Sequence, residues 1–172
     1  MLSRFLTAGA LIVQVVCAGL VFAQSRSIEG TYRNSALGYS IQIPSGLKGA
    51  AGGGDGPERG VRISLPSGSD IVVFGEPNSL EYKSPEDGVR ADLELKGCES
   101  GQQEIQPSAL GKIKAARGRL VCGDRVLNLF LAFRPQGGPI YWLRLETTRA
   151  HESEDELALD RVATSFKLIR WK

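Results

Sequence analysis

Two apolar stretches in the carboxyl-terminal half decide the fold: VLNLFLAF at residues 126–133 and IYWLRLET at residues 140–147. The first stretch is apolar on both faces except at Asn128, which is typical of a central strand buried on both sides. In the second, odd-numbered positions hold Tyr, Leu and Leu, and even-numbered positions hold Trp, Arg and Glu. Together with residues 112–122, they predict an antiparallel meander with turns at residues 123–124 and 135–139.

Two helices are predicted to cover this sheet. Ser84 can cap a helix that runs from residue 85 to about residue 96, and Gly97 would end it. For the last helix, Ser153 followed three residues later by Glu156 predicts a capping box. Its apolar face recurs at helical spacing and consists of Leu159, Val162, Ala163 and Phe166. The chain is therefore predicted to be α+β: an antiparallel sheet covered by two or more helices, arranged as an α/β/α sandwich.

Shorter strands are predicted in the amino-terminal half. Residues 39–43 alternate between apolar and polar up to Pro44, and residues 61–65 and 71–74 flank a turn. The run from Gly46 to Gly60 contains seven glycines and predicts a long surface loop. A phosphate-binding loop is excluded, since no Lys-Ser or Lys-Thr closes the run and a strand rather than a helix follows it.

Residues 1–23 have the features of a cleaved signal peptide. A basic residue precedes an apolar run from Phe5 to Phe22, and Val21 and Ala23 are the small residues that signal peptidase requires before its cut. The predicted cleavage site therefore lies between Ala23 and Gln24.

Cleavage there leaves a single domain over residues 24–172 with no further membrane span, exported to the periplasm or to the outside of the cell. A retained membrane anchor and a lipoprotein site at Cys17 are the alternatives to cleavage.

The mature chain would keep two cysteines, Cys98 and Cys122. In an oxidising compartment an even pair predicts a disulfide, here between the end of the first helix and the end of a long strand. A metal-binding pair and a catalytic thiol are the alternatives. Neither is favoured, because the sequence has one histidine and no Cys-x-x-Cys motif.

Three segments resemble the PsbP-like family, whose fold is shared by the extrinsic photosystem II protein and a Ran-binding nuclear import factor. YRN at residues 32–34 with LGYSIQIP at residues 37–44 resembles the opening strand pair of the family. IYWLRL at residues 140–145 resembles its final strand, and VATSFKL at residues 162–168 resembles its closing helix and exit. The resemblance implies an α+β fold and a role in binding or assembly, as in an exported bacterial member, and it assigns no site residue.

Few residues are candidates for chemistry. His151, the one histidine, is predicted to be a solvated residue before the last helix rather than a metal ligand. Strand alternation places the basic residues of one strand on both faces, which does not make a nucleic-acid patch: Lys112, Lys114, Arg117 and Arg119. Arg144 and Glu146 are predicted to form a surface pair. No catalytic, metal-binding or cofactor-binding residue is predicted.

The formal net charge of +2 is too small to indicate a nucleic-acid partner. The sequence favours a non-catalytic, exported binding or assembly module that acts as a monomer on a protein partner or a small ligand, without a cofactor. The alternative is a small exported hydrolase that uses an unrecognised pair of carboxylates. Any recognition is predicted to lie on loops, namely the glycine run 46–60 and the tip 135–139, and the alternative for both loops is a plain solvent-exposed connection.

Overall fold

The computed structural model of the chain describes residues 26–52, 60–98 and 101–170. The predicted leader and its cleavage site at Ala23 and Gln24 lie outside these residues. The described residues form eleven strands and two helices. In chain order they are β1 (Arg26–Ile28), β2 (Thr31–Asn34), β3 (Tyr39–Gln42), β4 (Lys48–Ala51), β5 (Val61–Ser64), β6 (Asp70–Glu76), α1 (Pro85–Lys96), β7 (Gln102–Leu110), β8 (Ile113–Cys122), β9 (Arg125–Phe133), β10 (Ile140–Thr148), α2 (Glu152–Ser165) and β11 (Lys167–Leu168).

A large antiparallel sheet holds eight of these strands, in the order β1-β4-β5-β6-β10-β9-β8-β7. The predicted meander is confirmed, because β8, β9 and β10 are neighbours joined by two tight connections. Strand β9 is buried along most of its length, as its two-sided apolar pattern predicted. The prediction of an antiparallel α+β fold with two helices is therefore confirmed.

The side chains of β9 alternate between the two faces of the large sheet. Leu127, Leu129 and Leu131 pack in one apolar cluster with Val89 and Leu93 of α1. Phe130 and Ala132 point to the other face of the sheet. There they pack in a second apolar cluster with the apolar side of α2. Each helix thus belongs to a different face of the same sheet.

A small sheet of three strands, in the order β11-β3-β2, joins α2 on the second face. Its centre is Tyr39, whose ring lies 5.5 Å from that of Phe166 and 5.6 Å from that of Tyr141. Burial raises the pKa of Tyr39 far above its ordinary value, so this phenol stays neutral and donates to the Val73 carbonyl at 3.2 Å. The predicted sandwich is only partly realised, because strands as well as a helix cover this face.

Helix α1 has the ends that its sequence predicted. The Ser84 side chain accepts a hydrogen bond from the backbone amide of Asp87, and Gly97 occupies the carboxyl-terminal cap. Two glycines bring the helix close to the sheet. A Cβ atom on Gly88 would come within 2.3 Å of Leu131, and one on Gly118 would come within 2.5 Å of Val89.

Helix α2 begins one residue before the predicted cap, so the predicted capping box is wrong. Ser153 and Glu156 lie inside the helix, and within the described chain the side chain of His151, at the cap position, makes no capping hydrogen bond. Acidic residues near the start of the helix form contacts with other elements of the fold. Asp155 is buried and accepts hydrogen bonds from Thr147 Oγ1 at 2.6 Å and from Ser67 Oγ at 2.9 Å.

Three strands of the large sheet were not predicted, namely β1, β4 and β7. Strand β4 lies inside the glycine run, so the prediction of one long surface loop from Gly46 to Gly60 is wrong for residues 48–51. Gly49 is buried there, because a Cβ would come within 2.8 Å of both Ile43 and Val61. Strand β7 forms an edge of the sheet and is mostly exposed. Its sequence therefore has no clear apolar alternation from which a strand could be predicted.

Candidate binding surface

The strand ends of four connections lie at the same end of the large sheet. Ile140 lies opposite both Glu76 and Phe133, so the β6–α1 and β9–β10 connections leave the sheet side by side. The β4–β5 and β7–β8 connections leave from the same end, since Ala51 pairs with Val61 and Leu110 pairs with Ile113. We call this set of connections the loop end.

The β6–α1 connection contains a turn held by the side chain of Asn78. Its amide group donates to the Tyr82 carbonyl at 3.0 Å, and its oxygen accepts from the Tyr82 backbone amide at 3.0 Å. Glu81 has a φ of 53°, in the left-handed region that non-glycine residues seldom adopt. The side chain of Leu80 is 73% exposed at the tip of this turn. The Asn78 turn, residues 78–82, therefore presents a leucine to solvent on an ordered backbone.

The β9–β10 tip adds a second ordered connection. Gln136 has a φ of 67°, and two glycines that follow it also have positive φ. At the base of the tip, the Arg134 guanidinium donates to the Gly38 and Ile169 carbonyls and to the Tyr141 hydroxyl. Of the residues that the structure describes, Glu81 and Gln136 are the non-glycine residues with positive φ, and both lie at the loop end. Backbone strain of this kind persists where the surrounding structure holds the residue in place, and such residues are frequent at functional sites.

Sequence reasoning identified the tip at residues 135–139 but missed the Asn78 turn. The signal was present, because Pro77, Asn78 and Ser79 are strong turn formers in sequence order. The glycine run contributes its described ends to the loop end, and residues 53–59 lie outside the described chain.

A cleft of about 470 Å³ lies on the α1 side of the sheet and bears on the hydrolase alternative. It contains Asp70 and Glu146, which stand directly opposite each other on β6 and β10. Asp70 accepts from Arg62 at 2.9 Å and from Ser64 Oγ at 2.9 Å, and Glu146 lies 3.5 Å from Arg125. Both carboxylates are thus paired with arginines, an arrangement that offsets their repulsion.

The remaining candidate residues have structural partners. Arg117 contacts Glu156 and Asp160, and Arg119 contacts Glu152, so these two basic residues attach β8 to α2. Arg119 holds the pKa of Glu152 below its ordinary value. In the described ranges no three His, Cys, Asp or Glu side chains are grouped as a metal would require.

The predicted surface pair of Arg144 and Glu146 is wrong. Arg144 instead donates a hydrogen bond to Asp92 of α1 at 2.6 Å. Helix α1 lies over β8 and β9, and the Asp92 carboxylate extends from it toward β10. Cys98 and Cys122 form a disulfide whose Cα atoms are 6.0 Å apart, and it joins the end of α1 to the end of β8.

The described residues combine an eight-stranded antiparallel sheet, a helix on each of its faces and a small additional sheet. The structure is similar to that of cyanobacterial PsbP (CyanoP) from Synechocystis sp. PCC 6803, with a TM-score of 0.57 and 17% identity over 88% of this chain and 96% of that one. It is also similar to LpqN of Mycobacterium tuberculosis, a protein involved in cell envelope biogenesis, with a TM-score of 0.55 and 13% identity over 84% of this chain and 92% of that one.

The PsbP-like resemblance is therefore confirmed at the level of the fold. No family model matches the chain, and no curated protein matches it. Across residues 26–52, 60–98 and 101–170, no helix has the length and apolar character needed to cross a membrane.

Proposed function

We propose that this chain is an exported, non-catalytic binding or assembly module of the cell envelope that engages a protein partner through its loop end. The observation that carries the proposal is the Asn78 turn, where hydrogen bonds hold the backbone while Leu80 remains exposed. A side chain presented on an ordered turn loses little conformational entropy on binding, which favours its use as an anchor.

The similarity of LpqN, a protein of envelope biogenesis, supports the location, as does the predicted leader. In this proposal the mature protein starts at Gln24 and works as a monomer in the periplasm or outside the cell, with no nucleic acid and no cofactor. Sequencing the amino terminus of the exported protein tests the processing step directly. Recovery of an intact Met1 on membrane-bound protein would show that the leader is an anchor.

Site-specific photo-crosslinking in the producing cell tests the binding surface. A photoreactive residue at position 80 is expected to capture one discrete partner. Position 157 provides the control, because Leu157 is also exposed, at 61%, but lies on α2. Identical crosslinks at the two positions, or none at position 80, would refute the loop end as the binding surface.

Leu80→Ser provides the second test. It is expected to abolish the crosslink from a neighbouring reporter position on the same turn, while the melting temperature stays within about 2 °C because the side chain packs against little. A large loss of stability would mean that Leu80 has a structural role instead.

The hydrolase alternative depends on Asp70 and Glu146, which lie opposite each other in the cleft. If these residues act as acid and base, Asp70→Asn and Glu146→Gln should each remove turnover of a glycoside or ester substrate. The non-catalytic proposal expects no turnover from the unmodified protein. If turnover is found, Glu154→Gln is the carboxylate control, because Glu154 is exposed on α2 and lies outside the cleft.

A further inference from the structure

The two edges of the large sheet differ in length. Strand β1 forms one edge and has three residues, whereas β7 forms the other and has nine. Most of β7 is exposed, and Glu104 is its one charged residue. A long edge strand with little charge presents unpaired backbone amides and carbonyls that another strand can join. The β7 edge therefore needs a feature that keeps strands from adding to it.

The hairpin of β7 and β8 determines which backbone groups of β7 face outward. Leu110 pairs with Ile113 across a two-residue turn, so these residues exchange both of their backbone hydrogen bonds. Bonded and non-bonded pairs alternate along an antiparallel ladder, so every second residue before Leu110 also bonds to β8. The backbone amides and carbonyls of the residues between them point away from β8, at positions 103, 105, 107 and 109.

Pro107 occupies one of these outward positions. It lies opposite Ala116 of β8 and is exposed. Because its nitrogen faces away from β8, the proline does not weaken the ladder inside the sheet. Proline has no amide hydrogen, and a ring carbon takes the place of that hydrogen. A strand added to the β7 edge would therefore place a carbonyl group against the proline ring, without a donor.

Strand β7 of a second copy is the added strand to consider first, in an antiparallel arrangement about a two-fold axis. If Gln106 lies on that axis, Glu104 faces Ser108 of the other copy, and no like charges meet. Charge alone thus permits this register. Pro107 opposes it, because the proline would face the Ile105 carbonyl of the other copy and leave it without a hydrogen bond.

Glu104 opposes the register that Pro107 does not reach. The longest symmetric register that leaves Pro107 unpaired covers residues 102–106 and has Glu104 on the axis. That register sets the Glu104 carboxylate directly against its own copy, and like charges directly opposite each other in a sheet are destabilising. The two residues therefore oppose different registers of the same edge.

We propose that Pro107, together with Glu104, closes the β7 edge to a second copy of this chain and so keeps the protein monomeric. The inference rests on the monomeric state in the proposed function and assigns that state to one edge strand. A residue with an amide hydrogen at position 107 opens the edge.

Sedimentation equilibrium of the exported protein and its Pro107→Val variant tests this inference. The wild-type protein is expected to be monomeric, and the variant should dimerise at least about 100-fold more tightly. Ala109→Val is the matched control, because it adds a valine at an exposed, outward position of the same strand and keeps the proline. Association of Pro107→Val no tighter than that of the wild-type protein, or equal association of Ala109→Val, would overturn the inference.

Hydrogen exchange of single amides, measured by NMR, shows whether β7 is the edge that associates. In the wild-type protein the outward amides of Ile105 and Ala109 should exchange rapidly, and the Gln106 amide, which bonds to β8, should exchange slowly. In the Pro107→Val dimer the two outward amides should slow by at least about 10-fold. A dimer in which they stay fast would overturn the inference, and so would a wild-type protein in which they are already slow.

Pro107→Ala separates the backbone from the side chain. It restores the amide hydrogen without adding a β-branched residue, so it should also dimerise and slow the outward amides, and it replaces Pro107→Val if that variant fails to fold. A monomeric Pro107→Ala would show that the missing amide hydrogen does not close the edge. None of these measurements uses a binding partner, and Leu80 is unchanged in every variant, so their outcome is separate from that of the proposed binding function.

Discussion

Helices α1 and α2 have twelve and fourteen residues and lie on opposite faces of one sheet, yet they are attached in different ways. Helix α2 buries a row of apolar side chains and adds a buried carboxylate bound by two hydroxyl groups. Helix α1 buries two apolar side chains over a glycine of β8, forms an ion pair with β10 and is followed by a disulfide to the end of β8. The comparison shows that similar helices on one sheet can be attached by different kinds of contact.

The largest expected effect is on the apolar face of α2. Leu159 is fully buried in the cluster that holds the small sheet, so Leu159→Ala should lower the free energy of unfolding by about 3 kcal/mol. Urea denaturation measures the change. Leu157→Ala is the matched control on the exposed side of the same helix, with an expected change within about 0.5 kcal/mol. Equal midpoints for the two variants would contradict the burial of Leu159 in the core.

The buried carboxylate of α2 should contribute the next effect. Asp155→Ala leaves the hydroxyls of Thr147 and Ser67 without their acceptor, at an expected cost of about 2 kcal/mol. Glu154→Ala, at an exposed neighbour, should be nearly neutral. Thermal unfolding compares the two variants. If Asp155→Ala is no worse than Glu154→Ala, the network does not stabilise the fold.

Gly118→Ala tests the packing of α1 against the sheet. The added methyl group would lie 2.5 Å from Val89 and 3.1 Å from Leu93. This overpacking should lower the free energy of unfolding by about 1–2 kcal/mol and displace the helix from the sheet. Hydrogen exchange should accelerate in residues 85–96 and stay unchanged in α2, which serves as the internal control. Acceleration in both helices would mean that α1 is as integral to the fold as α2.

The smallest expected effect is a pH dependence at the first turn of α2. Arg119 lowers the pKa of Glu152 below its ordinary value of 4.5, so the pair stabilises the fold fully above that value. This stabilisation is lost as the pH falls through the lowered pKa and the carboxylate is protonated.

Glu152→Gln is therefore expected to reduce stability at pH 7 by less than about 1 kcal/mol, because the pair is partly exposed. The difference from the wild-type protein should vanish in more acidic solution. Arg119→Gln should show the same pH profile, measured by urea denaturation at each pH. A difference that grows on acidification would contradict this sign.

The sequence predicted elements whose signal is local. The alternation in β10, the two-sided apolar run of β9 and the Ser84 cap each depend on neighbouring residues, and each is found in the structure. The disulfide predicted from the pair of cysteines in the mature chain is likewise present, between Cys98 and Cys122.

The elements that were missed depend on distant residues. In β4, Gly49 is a strand residue because Ile43 and Val61 leave no room for a side chain, a fact the glycine run does not encode locally. In α1, which was predicted correctly, Gly88 weakened the helical pattern because its role is the close approach to Leu131. The capping box in α2 was a false signal, because tertiary contacts engage Asp155 and Glu156. The Asn78 turn was missed because turn formers are common and exposure cannot be read from sequence.

The residues around Phe166 set a limit on when the small sheet can finish folding. Phe166 stacks on Tyr39, and β11 pairs with β3, so the aromatic centre of this sheet joins residues more than a hundred positions apart. The hairpins of β8, β9 and β10 depend on contacts between neighbouring strands, but Tyr39 must wait for Phe166. Contacts so distant in sequence slow folding, and a chain that has not yet made them remains exposed to proteases and chaperones. A cut before residue 166 would therefore remove the stacking partner of Tyr39 together with the strand that pairs with β3.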